Sequence, residues 1–141
     1  MRVYIEKGNA MKSVNKESKR ILDILTADLK SPGDHKRIDN AGAAFMAVSV
    51  EHIGWCGYDP VFSVAHYYEQ NGDLMRDPEM LFVKRSSEYF PVYFRQDGLP
   101  LEERSVMYDR EGVIRYYPMI QRDHARFADM WMRNISEQQD L

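Results

Sequence analysis

Apolar residues repeat at helical spacing in two segments, one near each end of the chain. In the first segment Ile21, Leu22 and Leu25 share one face, and a Ser-Pro-Gly sequence follows at residues 31–33. Proline and the residue before it resist helical backbone, so the first helix is predicted to end there. The second helix is predicted over residues 121–138, and its apolar stripe consists of Ile120, His124, Phe127, Trp131 and Ile135.

Between the two helices, the pattern changes to the alternation of apolar and polar residues that is typical of β-strands. Clusters of Gly, Pro, Asn and Asp separate the strands and predict short turns, which join antiparallel neighbours. We therefore predict an α+β fold, in which an antiparallel sheet of about five or six strands is flanked by an N-terminal and a C-terminal helix. The predicted strand segments are residues 35–38, 45–53, 61–68, 79–84, 89–95, 104–109 and 113–117.

The length of the chain indicates one domain. Its 141 residues are enough to bury a hydrophobic core without disulfides, and no linker or internal repeat divides them. Hydrophobic residues make up 44% of the chain and charged residues 29%, which is typical of a globular protein rather than a disordered one. Residues 1–12 carry only a brief apolar run, so we expect them to form a flexible extension of a single domain at residues 1–141.

Cysteine content and hydropathy indicate the cellular compartment in which the protein is expected. Cys56 is the single cysteine, which excludes an internal disulfide framework and a multi-cysteine zinc site. No apolar run is long enough for a membrane span, and the N-terminus lacks the apolar core of a signal peptide. These features predict a cytoplasmic protein that does not act at a membrane.

Charge is distributed unevenly along the chain. The net charge is −3, but residues 1–38 have a balance of +4 and residues 39–141 a balance of −7. The basic first helix could bind nucleic acid, and this is one alternative function. The acidic remainder would repel a polyanion, so nucleic acid is not the expected partner.

The central stretch of the chain is predicted to form a β-hairpin around Asn71-Gly72, because both residues adopt positive φ at little cost. A two-residue turn places His66 opposite Asp77 and Val64 opposite Glu79. His66, Asp77 and Glu79 would then share one face, where the histidine could act as a general base or the three groups could hold a divalent metal. The corresponding function is a metal-dependent hydrolase.

Two features of the hairpin favour a structural explanation for the same residues. Pro78 cannot donate a hydrogen bond to a neighbouring strand, so it weakens the register on which the cluster depends. Carboxylates in such a segment also form turns and caps, and buried His and Tyr side chains are usually satisfied by local hydrogen bonds. A protein without a resident cofactor therefore remains the leading interpretation.

Aromatic and charged residues of the hairpin are candidates for a protein-binding surface, because Tyr, Trp and Arg dominate the energetics of protein interfaces. Binding to a second protein is the function that we predict, and self-association into a homo-oligomer remains open. The candidate contact residues are Trp55, Tyr67, Tyr68, Asn71, Asp73 and Arg76.

Three segments have distinctive sequences: the Ile-Asp-Asn-Ala sequence at residues 38–41, the hairpin region at residues 61–82 and the final segment at residues 127–135. They resemble a bacterial domain family of unknown function that occurs in plasmids, integrative elements and phages. The hairpin contributes the sequence HYYEQNGDLMRDPEM, and the resemblance covers roughly residues 35–138. It brings no reaction and no catalytic residues. The resemblance implies a mobile-element accessory protein that acts by binding a protein of the host or of the element.

Overall fold

The computed structural model describes residues 11–141 and has the predicted α+β fold. Residues 1–10, which form most of the expected flexible extension, lie outside the described residues. Met11 and Lys12 belong to the described part; Met11 is buried, and the Lys12 amide donates to Gln121 Oε1 at 2.6 Å. The elements are α1 (Lys16–Thr26), β1 (His35–Ile38), a 3₁₀ turn (Gly42–Ala44), β2 (Val48–Cys56), β3 (Asp59–Gln70), β4 (Asp73–Arg85), β5 (Glu88–Gln96), β6 (Leu101–Arg104), β7 (Val106–Asp109), β8 (Gly112–Tyr116) and α2 (Pro118–Gln139).

The main sheet contains six antiparallel strands in the order β1-β2-β3-β4-β5-β6. Each strand pairs with its neighbours in the chain, as the short predicted turns require. The segment predicted as one strand at residues 104–109 is divided at Ser105. The Ser105 amide donates to Val92 O at 3.0 Å, and its carbonyl accepts from the Tyr117 amide at 2.9 Å. This residue therefore separates β6 from a second sheet, which consists of β7 and β8.

Both helices form where the sequence predicts them, with different ends. Asn15 caps α1, because its side chain accepts the Ser18 amide at 2.8 Å. The helix stops at Thr26 rather than at Pro32, and Asp28 has a left-handed φ of 70°. Helix α2 begins at Pro118. Amide groups in the first turn of a helix have no acceptor within the helix, so proline loses no hydrogen bond at this position.

The two helices cover one face of the main sheet. Asp129 of α2 accepts hydrogen bonds from the Asn15 amide at 2.9 Å and from Ser18 Oγ at 2.7 Å, so it ties α2 to the start of α1. The apolar faces of the two helices pack on the sheet and form the larger hydrophobic core with it. Fully buried members of this core include Ile21, Leu22, Leu25, Val48, Val64, Met80, Phe82, Tyr89, Met132 and Ile135.

The small sheet β7–β8 covers part of the opposite face, so the fold has a third layer in addition to the helices and the main sheet. Val106 and Val113 pack there against Val61, Leu81 and Val83 of the main sheet. The remainder of this face is called the polar face below; its side chains include His35, Arg37, Ser49, Glu51, Ser63, Glu79, Arg95 and Glu102. No helix within residues 11–141 is both long enough and apolar enough to span a membrane.

Candidate functional site

The β3–β4 hairpin turns at Asn71 and Gly72, as predicted. Their φ values of 53° and 84° fit a turn with two residues in the left-handed region. Next to the turn, Gln70 pairs with Asp73 and Tyr68 pairs with Met75, which is the predicted register. The hairpin tip therefore follows from the Asn-Gly sequence alone.

A β-bulge changes the register further along the hairpin. Tyr67 pairs with Arg76 but Ala65 pairs with Glu79, so Asp77 and Pro78 together lie opposite the single residue His66. Pro78 has no amide hydrogen to donate to β3, which explains why the regular ladder is interrupted at this point. Beyond the bulge, every side chain of β4 lies on the face opposite to the one predicted.

The predicted catalytic or metal cluster of His66, Asp77 and Glu79 is wrong. His66 lies on the helix-covered face, whereas Glu79 lies on the polar face and accepts a hydrogen bond from Ser63 Oγ at 2.6 Å. Asp77 accepts from Gln96 Nε2 at 2.7 Å. Within the described part of the chain, no group of three or more His, Cys, Asp or Glu side chains could hold a metal ion.

His66 has a packing role in the main core. Its ring meets the Trp131 ring edge to face, with 5.4 Å between the centroids and 89° between the planes. Burial lowers the pKa of His66, and the charge of Asp77 partly opposes this shift. The ring is therefore neutral near pH 7, and it cannot supply a base to the polar face.

Asp97 joins two neighbouring hairpins at the end of the sheet. Its Oδ2 accepts from the amide and from Nε of Arg76, each at 2.9 Å, and its Oδ1 accepts from Arg95 Nε at 2.8 Å. The Asp97 amide in turn donates to Arg76 O at 2.9 Å. These bonds, above all the one from the Arg76 amide, hold the pKa of Asp97 far below its usual range. We call this arrangement the Asp97 junction.

The Asp97 junction continues across the polar face as a network of charged and hydroxyl groups. Arg76 Nη1 lies 3.8 Å from Glu79 Oε1, and Arg95 Nη1 lies 3.5 Å from Glu102 Oε2. The Tyr93 hydroxyl donates to the same Glu102 carboxylate, and burial raises the pKa of this tyrosine. The network depends on strand register, which places Glu79, Arg95 and Glu102 in one row across β4, β5 and β6.

A groove of about 610 Å³ lies between the β3–β4 hairpin and the β5–β6 turn. Leu74 forms an apolar part of its rim, since its side chain is 64% exposed. Charged groups of the Asp97 junction form its floor. We call it the hairpin-tip groove; it is lined by Asp73, Leu74, Met75, Arg76, Arg95, Asp97, Pro100, Leu101 and Glu102.

The predicted binding residues occupy three different places. Asp73 and Arg76 line the hairpin-tip groove, and Asn71 forms the adjacent turn. Tyr68 reaches the β5–β6 turn, since its hydroxyl lies 3.0 Å from the position that a Cβ at Gly98 would take. Tyr67 instead lines a cavity of about 240 Å³ beside β2 that includes Glu51 and Ser63, and Trp55 lines a separate cavity of about 520 Å³ next to α1.

Several residues of the site have no local signature in the sequence. The segment at residues 96–100 reads only as a turn, yet Asp97 is the acceptor that connects the two hairpins. Tyr93, Arg95 and Glu102 enter the network through pairings between strands. An alternation of charge between paired strands is the only signal that could have indicated them, and it requires the register to be known.

A serine, a histidine and a glutamate also meet beneath β6. His124 Nδ1 lies 2.8 Å from Ser105 Oγ, and His124 Nε2 lies 3.2 Å from Glu103 Oε1. This set resembles a hydrolytic triad in composition only, because the side chain of Ser105 is fully buried and no substrate can reach its hydroxyl. Burial lowers the pKa of His124, with Glu103 opposing. The cluster connects β6 to α2.

Comparison with known proteins identifies a family but no activity. The family model described as "Domain of unknown function (DUF6908)" matches residues 16–141. The matched segment begins at the first residue of α1 and includes both sheets and α2. The comparisons with curated proteins and with solved structures give no match.

Proposed function

The chain belongs to the family described as Domain of unknown function (DUF6908), and from this premise we propose that it acts by binding another protein at the hairpin-tip groove. The exposure of Leu74 at the rim of a groove whose floor is cross-linked by the hydrogen bonds of Asp97 is the observation that carries the proposal. An exposed leucine beside a concave surface is a typical anchor point for a protein partner.

The Asp97 junction makes this surface suitable for recognition. Arg76 and Arg95 are held by carboxylates of the same chain, so their side chains do not need to become ordered when a partner binds. The apolar rim and the paired charges beneath it match the pattern of an interface with an apolar centre and polar surroundings.

Charge at the groove favours a partner of defined chemistry. Asp73 forms no ion pair with the described residues, and Glu102 is 58% exposed despite its contact with Arg95. These carboxylates complement a basic side chain. The proposed ligand is therefore a protein segment with an apolar residue that packs against Leu74 and a basic residue next to it.

The sequence resemblance supports a second part of the proposal. The protein is an accessory protein of a mobile element, and its partner is a protein of the host or of the same element.

The two alternative functions, a metal-dependent hydrolase and a nucleic-acid-binding protein, receive less support. The three residues of the hydrolase cluster do not lie together, and Arg20 of the basic helix α1 is already paired with Glu17 at 2.7 Å.

A pair of leucine variants tests the proposed function. Leu74 lines the groove, whereas Leu99 is 70% exposed on the β5–β6 turn and does not line it, so Leu99→Asp is the matched control. The partner is first captured from a lysate of the native cells and then purified for calorimetric titration. We expect Leu74→Asp to weaken binding by about 10- to 100-fold and Leu99→Asp to leave it unchanged.

Two outcomes would contradict the proposal. One is equal affinity of the purified partner for both variants and for the unaltered chain. The other is that the wild-type chain captures no protein that then binds it saturably in purified form. If the captured protein is a second copy of the chain, analytical ultracentrifugation will show dimers whose dissociation follows the Leu74→Asp change. The identity of a different partner tests the mobile-element role.

A further inference from the structure

The cavity beside α1 is separate from the hairpin-tip groove and combines aromatic walls with cationic side chains. Its volume is about 520 Å³, which is within the usual range for small-molecule sites. Its lining includes the aromatic residues Trp55 and Phe62 and more cationic than anionic groups, which are Lys19, Lys30, Lys84, Asp23 and Asp28. Trp55 is 44% exposed, so its ring is accessible to a ligand.

His52 lines this cavity and is only 1% exposed. The Gly54 amide donates to His52 Nδ1 at 3.2 Å, so Nδ1 carries the lone pair and the proton of the neutral ring lies on Nε2. Burial lowers the pKa of His52, which keeps the ring in this neutral form at pH 7. The Nε2 atom has no hydrogen-bond partner among residues 11–141. This atom is fully buried, so His52 supports the cavity by packing and does not itself contact a ligand.

The His52 ring is held in place by aromatic contacts on two sides. Its centroid lies 4.8 Å from that of Trp55 and 5.2 Å from that of Phe62, both in edge-to-face geometry. Trp55 offers planar apolar surface to the cavity, whereas Phe62 is buried and packs against His52. A ligand with a flat ring therefore fits the aromatic side better than a flexible chain does.

The cationic side of the cavity is preorganised by Asp23. Lys19 Nζ lies 2.9 Å from Asp23 Oδ2, Lys84 Nζ lies 3.8 Å from Asp23 Oδ1, and the Tyr89 hydroxyl donates to Oδ1 at 2.8 Å. One carboxylate thus orients two ammonium groups. Because each ammonium has three donors, both lysines keep hydrogens for an anionic ligand, and the pair retains net positive charge.

We propose that this cavity binds a small organic anion that consists of a planar ring bearing a carboxylate or phosphate group. The oxyanion lies against Lys19 and Lys84, and the ring packs on Trp55, whose own ring contacts His52. The shared chemistry is a ring attached to an oxyanion. The source of the oxyanion, a carboxylic acid or a phosphate ester, is left to the experiment.

Titration with four probes tests this assignment in the full-length chain. Indole-3-acetate and adenosine monophosphate each carry a ring and an anion, indole carries only the ring, and inorganic phosphate carries only the anion. Binding is followed by tryptophan fluorescence and by the ring ¹⁵N resonances of His52. We expect saturable one-to-one binding of at least one ring-anion probe, with a shift of the His52 resonances, and weaker binding of indole and of phosphate alone.

Variants localise the binding. Lys84→Met is expected to weaken binding of the probe by about tenfold, and Lys16→Met, which changes an exposed residue elsewhere on α1, is the matched control. Thermal unfolding verifies that both variants are folded. The assignment is overturned if neither ring-anion probe saturates below about 10 mM. It is also overturned if indole binds as tightly as the anions, or if Lys84→Met and Lys16→Met bind equally well.

Discussion

Removal of the Asp97 carboxylate tests how the hairpin-tip groove keeps its shape. Asp97→Ala eliminates three hydrogen bonds to one anion, two from Arg76 and one from Arg95, at 2.8–2.9 Å. Hydrogen bonds to a charged group contribute about 1.5–3 kcal/mol each when they are well buried. Here the arginine side chains are 30% and 35% exposed, so solvent screening reduces each contribution. We expect a total loss of about 2 kcal/mol in the free energy of unfolding.

Urea denaturation at pH 7 measures this loss. For a chain of this size, a loss of about 2 kcal/mol corresponds to a fall of about 4–8 °C in Tm. Glu69→Ala provides the control, because Glu69 is an exposed acidic residue of the same hairpin, and its replacement should change stability by less than about 0.5 kcal/mol. Equal stability of Asp97→Ala and Glu69→Ala would refute the role of the Asp97 junction.

The pH dependence of the stability loss distinguishes the contribution of the Asp97 charge from that of the side chain's shape. The pKa of Asp97 is lower in the folded chain than the unfolded value of about 4, so the unfolded state takes up this proton first as the pH falls. The stabilisation from Asp97 is therefore complete above about pH 5 and is lost as the pH falls toward the folded pKa. Asp97→Asn keeps the shape but does not titrate. The stability difference between Asp97→Asn and the unaltered chain should shrink in acid; a constant difference would contradict the ionic origin.

Two buried side chains give further predictions. Tyr89→Phe removes a hydroxyl that contacts Asp23 at 2.8 Å and Thr26 at 2.9 Å, and we expect urea denaturation to show a loss of about 1–2 kcal/mol. His66→Phe keeps the packing on Trp131 but removes a group whose pKa is lowered by burial. Because unfolded histidine takes up its proton below about pH 6.5, the variant should lose less stability than the unaltered chain between pH 7 and pH 5. If the free energy of unfolding changes equally with pH in the two proteins, His66 has the same pKa in the folded and unfolded states, which would contradict the prediction.

Local sequence signals account for the elements of the fold. The spacing of Ile21, Leu22 and Leu25 predicts α1, and all three are fully buried. Asn71-Gly72 predicts the hairpin turn, and the backbone there has the expected positive φ values. These signals are readable because each depends on residues that are adjacent in the chain or one helical turn apart.

The sites could not be predicted in the same way, because they depend on contacts between distant residues. Asp97 lies 21 positions from Arg76, and its role arises only when two hairpins pair side by side. The cavity beside α1 likewise combines His52 of β2 with Lys19 of α1 and Lys84 of β4. No periodic pattern within one segment indicates that these distant residues come into contact.

The register of β4 shows why the predicted cluster failed and how the observed network forms. Met80, Leu81, Phe82 and Val83 are all apolar and buried, because the helices cover one side of β4 and the β7–β8 sheet covers the other. A run that is apolar on both faces contains no alternation, so the sequence does not indicate which residues face the helices. With a regular ladder, Glu79 would lie opposite Val64 in the main core, where an unpaired carboxylate is strongly unfavourable. The bulge at Asp77 and Pro78 puts Met80 there instead and moves Glu79 to the polar face, where Ser63 and Arg76 contact it. The bulge that places Glu79 and His66 on opposite faces of the sheet therefore also brings Glu79 into the charged network beside the hairpin-tip groove.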